Sequence, residues 1–276
     1  MQSNSVWIGV VGLALAVCSG AWAQPAAGAS WTLPHDLAVS EVGVRTFRFT
    51  VDYQTNNQQG AVVRRQRLSG EYVRGLVGGE VQWKNVRQFD ANGANGPFEA
   101  AKGRDFMEGF RYKNDLGATM QPEFFKSFPA TAVFERNLVW DTGMIELFGQ
   151  QYFDKLKLNQ PHQAMSEQSV QLPGLGSFHN RNVLLEWVGM SLRNGQNCAL
   201  IDYRAFGNPL DISAGGMTLR ARSDYWGQIW VSLKSKQIEY ATLYENVSGE
   251  FKLPGQDSPQ PLSVFRIGTF EPVAGL

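Results

Sequence analysis

The side chains best suited to proton transfer or metal binding lie in one polar stretch. His162, Glu167 and His179 could gather a metal ion, or a histidine could act as a base oriented by the carboxylate. Their spacing matches no helical or hairpin arrangement of metal ligands, so we interpret them as solvated loop residues and expect no metal and no cofactor. Catalysis would need an acid–base pair, and His179 with Glu167 or Asp202 is the only plausible start. Whether the chain is an enzyme stays open.

A second polar group lies within a predicted hairpin. Residues 183–193 and 197–206 flank Asn194-Gly195, a dipeptide that favours a two-residue turn because both turn positions need a positive φ. Glu186 falls among apolar residues on the first strand, and Asp202 and Arg204 do so on the second. A carboxylate on an apolar face must be paired or lie at a wet cavity wall. These residues therefore indicate either an ion pair or a polar spot that orients a ligand in a cavity.

The sequence lacks the common signatures of catalysis and of nucleic-acid binding. It contains no G-x-S-x-G elbow, no phosphate-binding P-loop and no H-E-x-x-H pair. Its 25 basic and 25 acidic side chains balance, so no net charge draws the chain to nucleic acid or to an anionic membrane surface. We therefore expect no nucleic-acid partner.

The N-terminus predicts export. Residues 6–17 form an apolar run that is shorter than the roughly 20 residues a membrane-spanning helix needs. Ala21-Trp22-Ala23 then supplies the small-x-small pattern of a signal-peptidase site. We expect a signal peptide at residues 1–23, cleaved after Ala23, and a periplasmic or secreted protein without a transmembrane segment. A lipoprotein anchored through Cys18 is the less favoured alternative, because Val17 stands where a small residue is wanted.

Residues 24–276 are predicted to form a single β-rich domain with a helical middle. A meander at about 42–90 opens with an alternation of period two, in which the apolar members are Phe47, Phe49, Val51 and Tyr53. A helical insert at about 98–165 follows, and a second meander covers about 183–271. The predicted fold is mainly β: a strongly curved antiparallel sheet or incomplete β-barrel, with the helical segment packed on or in it.

Within the insert, one helix has the clearest pattern. Asp141 or Thr142 is predicted to cap it, and residues 144–156 supply a broad apolar face. Residues 159–178 are polar and rich in turn formers, so a loop is predicted there, with a brief extended piece at 168–172.

Apolar residues on both faces of the strands suggest a ligand. A half-buried strand should have one apolar face and one polar face, yet Trp230 lies on the otherwise polar side of its strand. We therefore predict that the sheet cradles a hydrophobic or amphipathic small molecule or lipid, which the protein binds or carries. The candidate ligand-binding residues are Phe47, Phe49, Val51, Tyr53, Trp83, Trp187, Trp230, Tyr240 and Tyr244, with Glu186, Asp202 and Arg204 as orienting groups.

Other functions fit the same pattern. Aromatic faces bind sugar rings as well as lipids, so a secreted carbohydrate-binding or partner-binding β module is one alternative. A hydrolase or isomerase built on the same cavity is another. Peripheral contact with the membrane or with envelope proteins would accompany the carrier function.

One stretch carries a family resemblance. Residues 225–249, YWGQIWVSLKSKQIEYATLYENVSG, resemble the LolA/LolB-like superfamily of periplasmic lipoprotein carriers. In that pattern a strand reading roughly "lWvd" leads through a "kTg-q-v" turn to a strand that ends in acidic residues. Trp230-Val231-Ser232 matches the first part, and Ser235-Lys236-Gln237 stands at the turn. The resemblance implies an incomplete antiparallel β-barrel whose helices cover a hydrophobic cavity.

Overall fold

The protein is described here from a computed structural model, which covers residues 32–40 and 43–273 apart from the side chains at 122 and 214. The predicted signal peptide at 1–23, its cleavage site after Ala23 and the alternative anchor Cys18 lie outside these residues and stay predictions. The strands are β1 (Arg45–Asn56), β2 (Val62–Arg74), β3 (Glu80–Asn92), β4 (Lys102–Gly103), β5 (Arg111–Lys113), β6 (His162–Leu172), β7 (Gly176–Arg193), β8 (Gln196–Ala214), β9 (Met217–Ser232), β10 (Ile238–Lys252) and β11 (Gln260–Pro272).

All eleven strands of the described residues belong to one antiparallel sheet. Its order is β4–β3–β2–β1–β11–β10–β9–β8–β7–β6, and β5 pairs with β3. The first described strand, β1, therefore pairs with the last, β11, in the middle of the sheet. The sheet is curved and does not close, since β4 and β6 remain at its two ends. The prediction of a mainly β fold built on a curved antiparallel sheet is confirmed.

The inner face of the sheet forms the hydrophobic core. Phe47, Phe49, Val51 and Tyr53 of β1 are all buried, as the period-two pattern predicts. Phe47 stacks on Phe270 of β11 with ring centroids 4.7 Å apart, so the central pair of strands is joined by aromatic packing as well as by its backbone ladder.

The segment between β5 and β6 covers this inner face. It contains α1 (Leu116–Thr119) and α2 (Val133–Glu146), followed by a π-helical turn at Leu147–Gln151. Phe134 of α2 contacts Tyr53 with centroids 4.6 Å apart, and Phe148 of the π turn contacts Tyr203 of β8 at 5.5 Å. Gly149 allows close approach, because a Cβ there would lie 3.1 Å from Ile229. The helical segment thus packs in the cradle of the sheet.

The helix begins eight residues earlier than the predicted cap at Asp141, so that prediction is wrong. Asp141 lies in the last two turns of α2, where Arg266 binds its carboxylate. The Thr142 hydroxyl donates to the carbonyls of Leu138 and Val139 at 2.9 and 3.0 Å, and it is therefore unavailable as a cap. The first turns of α2 bury charged side chains, so the sequence shows no clear amphipathic pattern there. One of these side chains, Glu135, forms an ion pair with Arg104 at 2.6 Å.

The predicted loop at 159–178 is also wrong, apart from its extended piece at 168–172, because β6 and the start of β7 occupy it. β6 is an edge strand, and most of its residues are exposed or half-buried. Such a strand needs little apolar alternation, so the sequence pattern did not reveal it. The predicted turn between β7 and β8 is confirmed: Asn194 and Gly195 have φ values of 50° and 72°.

Within residues 32–40 and 43–273, no helix combines the length and the apolar character that crossing a bilayer requires.

Candidate functional site

An apolar cavity of about 820 Å³ lies between α2 and the inner face of the sheet. This volume falls within the roughly 300–1,000 Å³ typical of small-molecule sites. Strands β6 to β11 form one wall, and α1, α2 and the π-helical turn form the other. The apolar lining comprises Leu116, Met120, Val133, Phe134, Trp140, Met144, Leu147, Phe148, Met165, Val170, Leu172, Leu175, Phe178, Leu210, Ile212, Met217, Leu219, Val247, Leu262 and Val264.

Methionines are prominent in this wall. Met120, Met144, Met165 and Met217 all line the cavity. The methionine side chain is unbranched, flexible and polarisable, so it adapts to irregular apolar partners. The wall can therefore fit ligands of differing shape without a specific polar contact.

The polar end of the cavity is a buried ionic cluster. Arg266 of β11 donates from both terminal nitrogens to Asp141 of α2, at 2.7 and 3.1 Å. Its Nε donates to Glu245 of β10, and the other oxygen of Glu245 accepts a hydrogen bond from Ser223. The side chains of Asp141, Glu245 and Arg266 are 7%, 10% and 12% exposed. We call Asp141, Glu245 and Arg266 the acidic triad.

Burial and neighbouring charges shift the pKa values of Asp141 and Arg266. Burial raises the pKa of Asp141 to about 6; the positive charge of Arg266 opposes this rise, and Glu245 adds to it. Burial alone would lower the pKa of Arg266, but Asp141 and Glu245 outweigh it and raise that pKa well above its ordinary value. Arg266 therefore stays charged, and with both carboxylates ionised the triad has a net charge of minus one.

Tyr53 lies beside the acidic triad. Its hydroxyl is buried near the side chains of Asn137 and Arg266, and neither contact has the geometry of a full hydrogen bond. Burial raises the pKa of Tyr53 to about 12, although Arg266 opposes the rise, so this hydroxyl keeps its proton at neutral pH. It can donate to or accept from a group that enters the cavity. A second polar spot, where the Tyr225 hydroxyl donates to Asn180 at 2.8 Å, is satisfied internally.

Replacing Asp141 with Asn should remove part of the pH dependence of stability. The pKa of Asp141 in the folded state, about 6, is above the roughly 4 of an unfolded aspartate. Its contribution is therefore complete below about pH 4 and is lost as the pH rises to about 6, on the order of 2–3 kcal/mol. Urea unfolding across this range should show that the wild type loses stability relative to Asp141→Asn as the pH rises. Parallel curves for the two proteins would contradict the assigned pKa.

The structure brings one predicted ligand-binding residue, Tyr53, to the cavity. The other predicted residues on the inner side lie in the core instead: Phe47, Phe49, Val51, Trp83 and Trp187 are at most 1% exposed. The Trp83 indole donates to Tyr112 at 3.2 Å and the Trp187 indole donates to the Gly189 carbonyl at 2.6 Å, so both polar tips are satisfied inside the protein. A ligand contact of these core residues stays a prediction.

The remaining predicted residues lie on the outer face. Arg204 pairs with Glu186 at 3.4 Å, and Asp202 accepts from Gln228 at 2.9 Å. The ion pair that the sequence allowed is therefore present. Trp230 and Tyr240 form an edge-to-face pair with centroids 5.1 Å apart.

Tyr244 belongs to a row of outer aromatic side chains. Its ring stacks on Trp226 at 5.8 Å and 15°, and Trp226 also contacts Phe206 and Phe265. We call Phe206, Trp226, Tyr244 and Phe265 the outer aromatic ladder.

The possible acid–base pair does form, but on the surface. His179 contacts Glu167 through Nε2 at 2.8 Å and the Ser169 hydroxyl through Nδ1 at 2.7 Å. Ser169 and Glu167 are exposed, and Glu167 has a φ of 48°. Stabilising a developing charge needs donors in a water-excluded site, which an exposed strand edge does not supply. Among the described residues, no group of three or more His, Cys, Asp or Glu side chains is placed to hold a metal ion.

The sequence reasoning missed Asp141, Glu245 and Arg266 as site residues. Two of them carried a signal: Glu245 continues the inner face that Ala241 and Leu243 begin, and Arg266 shares its face with Phe270. An ionisable residue at the end of a buried apolar row must find a partner. The partner was not predictable, because Asp141 is 125 positions from Arg266.

A smaller cavity of about 320 Å³ adjoins the first, with Leu116 and Leu147 in both walls. Its lining is largely polar and includes Arg74, Glu80, Asn114 and Glu146. We place the candidate site in the larger cavity, because its apolar wall has few but convergent polar groups.

Comparisons with known proteins give weak likenesses. No family model matches the chain, and no curated protein does. A lipovitellin structure concerned with lipid–protein interactions is similar over 86% of this chain, at 12% identity and a TM-score of 0.44. The match spans 26% of the lipovitellin chain. A DUF1329 family protein from Desulfovibrio piger matches 84% of this chain and 87% of its own, at 8% identity and a TM-score of 0.17. At these values the LolA/LolB-like resemblance stays a prediction.

Proposed function

We propose that this protein is exported and that it binds or carries a hydrophobic or amphipathic ligand in the apolar cavity. The observation that supports this most directly is the cavity itself, about 820 Å³ of mostly apolar wall with a charged cluster at one end. An apolar wall favours binding of a hydrocarbon chain through the hydrophobic effect, and convergent polar groups favour one orientation of the ligand.

The carrier function would agree with the resemblance of residues 225–249 to the LolA/LolB-like superfamily. In this proposal the cavity shields an acyl or similar chain from water while the protein diffuses through the periplasm or the medium. Peripheral contact with the membrane or with envelope proteins would be the step at which the ligand enters or leaves. No cofactor has a part in this function.

The outer aromatic ladder gives less support to a carbohydrate-binding function. Sugar rings stack on exposed, flat aromatic faces, but Trp226 and Tyr244 stack on each other with nearly parallel rings. On its other side Trp226 meets Phe206, with centroids 6.3 Å apart. The ring faces that Trp226 and Tyr244 turn to each other are therefore covered, and the mutual packing of the ladder accounts for its apolar character.

Native mass spectrometry of protein purified gently from its own host tests the proposal. We expect the mass of residues 24–276 plus a small molecule that denaturation releases. The uncharged fluorescent probe N-phenylnaphthylamine should also gain intensity with the purified protein, because the cavity excludes water from it. A bare mature mass together with no rise in probe fluorescence would rule out the carrier function. A chain that keeps residues 1–23 would contradict export by signal cleavage.

A further inference from the structure

The ionisable side chains that line the cavity are mostly acidic. Among the described lining residues, the buried carboxylates of Asp141 and Glu245 face one guanidinium, that of Arg266, whereas the third carboxylate, Glu167, lies at the exposed edge and pairs with His179. Two of the lining tyrosines, Tyr53 and Tyr225, remain neutral, since burial raises the pKa of each. An anionic head group that enters the cavity would therefore meet net negative charge, in a place where water screens it poorly.

The single guanidinium is also already occupied. A free arginine would bind a carboxylate or phosphate through two parallel N–H donors. In Arg266 that fork is taken by Asp141, at 2.7 and 3.1 Å, and Nε is taken by Glu245. Displacing Asp141 would leave its carboxylate buried without a partner, which is strongly unfavourable. The acidic triad is thus closed to an anion.

The same end of the cavity is open to a hydrogen-bond donor. Each carboxylate oxygen has two acceptor positions, and the described contacts use only part of this capacity. The buried Tyr53 hydroxyl makes only poorly aligned contacts with Asn137 and Arg266, and it lines the cavity beside the triad. A buried hydroxyl whose contacts are poorly aligned is only partly satisfied, so a ligand group that bonds to it gains affinity.

We propose that the cavity selects amphiphiles whose head group is uncharged or cationic and donates hydrogen bonds, such as an alcohol or an amine, and excludes fatty-acid anions. The proposal rests on the proposed function and names the chemistry of the ligand. The head group lies against the acidic triad and Tyr53, and the alkyl chain follows the apolar wall towards Met217, Leu219 and Leu262.

Displacement of N-phenylnaphthylamine by three amphiphiles of equal chain length tests this selectivity. The competitors are n-decanol, n-decylamine and decanoate, each below its micelle concentration and at about pH 8, which is above the pKa of decanoate and above the pKa of about 6 of Asp141. We expect the alcohol and the amine to bind at least about tenfold more tightly than decanoate. Decanoate binding as tightly as the alcohol would overturn the selectivity and leave the carrier function standing. A probe that does not bind at all would instead overturn the carrier function.

A charge-altered variant sharpens the test. Asp141→Asn with Glu245→Gln leaves Arg266 as the only charge of the triad, so decanoate should gain at least about tenfold and decylamine should lose at least as much. Glu271→Gln, an exposed carboxylate on β11 outside the cavity, is the matched control and should change neither affinity. An unchanged ranking in the folded double variant would overturn the proposal. If circular dichroism shows that this variant does not fold, the proposal is judged by the order of the three affinities in the wild type.

Discussion

Replacing Arg266 with methionine is expected to destabilise the protein by about 3–5 kcal/mol. Arg266 is the shared partner of Asp141 and Glu245, whose side chains are 7% and 10% exposed. Methionine has a similar length and keeps much of the packing, but it leaves two carboxylates buried without a cation. The loss therefore comes mainly from their desolvation. Urea unfolding at neutral pH measures it as a fall in the midpoint.

Arg67→Met is the matched control for this experiment. Arg67 pairs with Asp52 at 2.7 Å on the outer face, and both side chains are more than 40% exposed. Water screens that pair, so its loss should cost less than about 1 kcal/mol. Adding Asp141→Leu and Glu245→Met to Arg266→Met should restore most of the lost stability, because no buried charge then remains. If Arg266→Met lowers the free energy of unfolding no more than Arg67→Met does, water in the cavity must solvate the triad carboxylates.

Replacing Val264 with tryptophan is expected to abolish ligand binding. Val264 lies on β11, lines the cavity and points to the same side as Arg266. An indole at this position would occupy space that the alkyl chain needs, so affinity for N-phenylnaphthylamine should fall at least about tenfold. The fold should survive, because the indole enters an existing cavity; residual overpacking would cost about 1–3 kcal/mol. Fluorescence titration and thermal unfolding of the same sample measure the two effects.

Ile267→Trp separates cavity filling from a general effect of tryptophan. Ile267 lies on the same strand but on the outer face, and it is 40% exposed. This variant should bind the probe as the wild type does. Equal affinity in both variants would place the probe outside the cavity, and the outer aromatic ladder would be the next surface to examine. Loss of binding in both would indicate that tryptophan on β11 disturbs the sheet itself.

The fold was largely predictable because the central strands obey simple rules. From Phe47 to Tyr53 of β1 every second residue is buried, and that pattern requires only one covered face. The turn at Asn194-Gly195 follows from two positive φ values that few residue pairs accept. β6 and the first half of α2 were missed for opposite reasons. β6 is too exposed to show a pattern, and α2 buries charged residues such as Glu135 that normally mark the solvent side.

The site was harder to predict because it depends on contacts between distant parts of the chain. Aromatic side chains suggested a ligand, yet most of them pack against one another in the core or on the outer face. The cavity wall is built mainly from methionines and aliphatic residues, which a sequence does not distinguish from ordinary core. Aspartate is a residue type that is favoured at helix N-caps, so the sequence suggested this position for Asp141. Only the folded structure, in which Arg266 of β11 binds the Asp141 carboxylate, shows that Asp141 belongs to the acidic triad.

The pairing of β1 with β11 has a kinetic consequence. Phe49 and Phe270 are paired in the sheet although they are about 220 positions apart. The chain must lose the entropy of closing this long loop before the two strands can form stabilising contacts. Antiparallel sheets dominated by such distant pairs fold in roughly milliseconds to seconds. The centre of the sheet therefore forms only once the last strand is available. Under the proposed export, this order would keep the chain unfolded until nearly all of it has crossed the membrane.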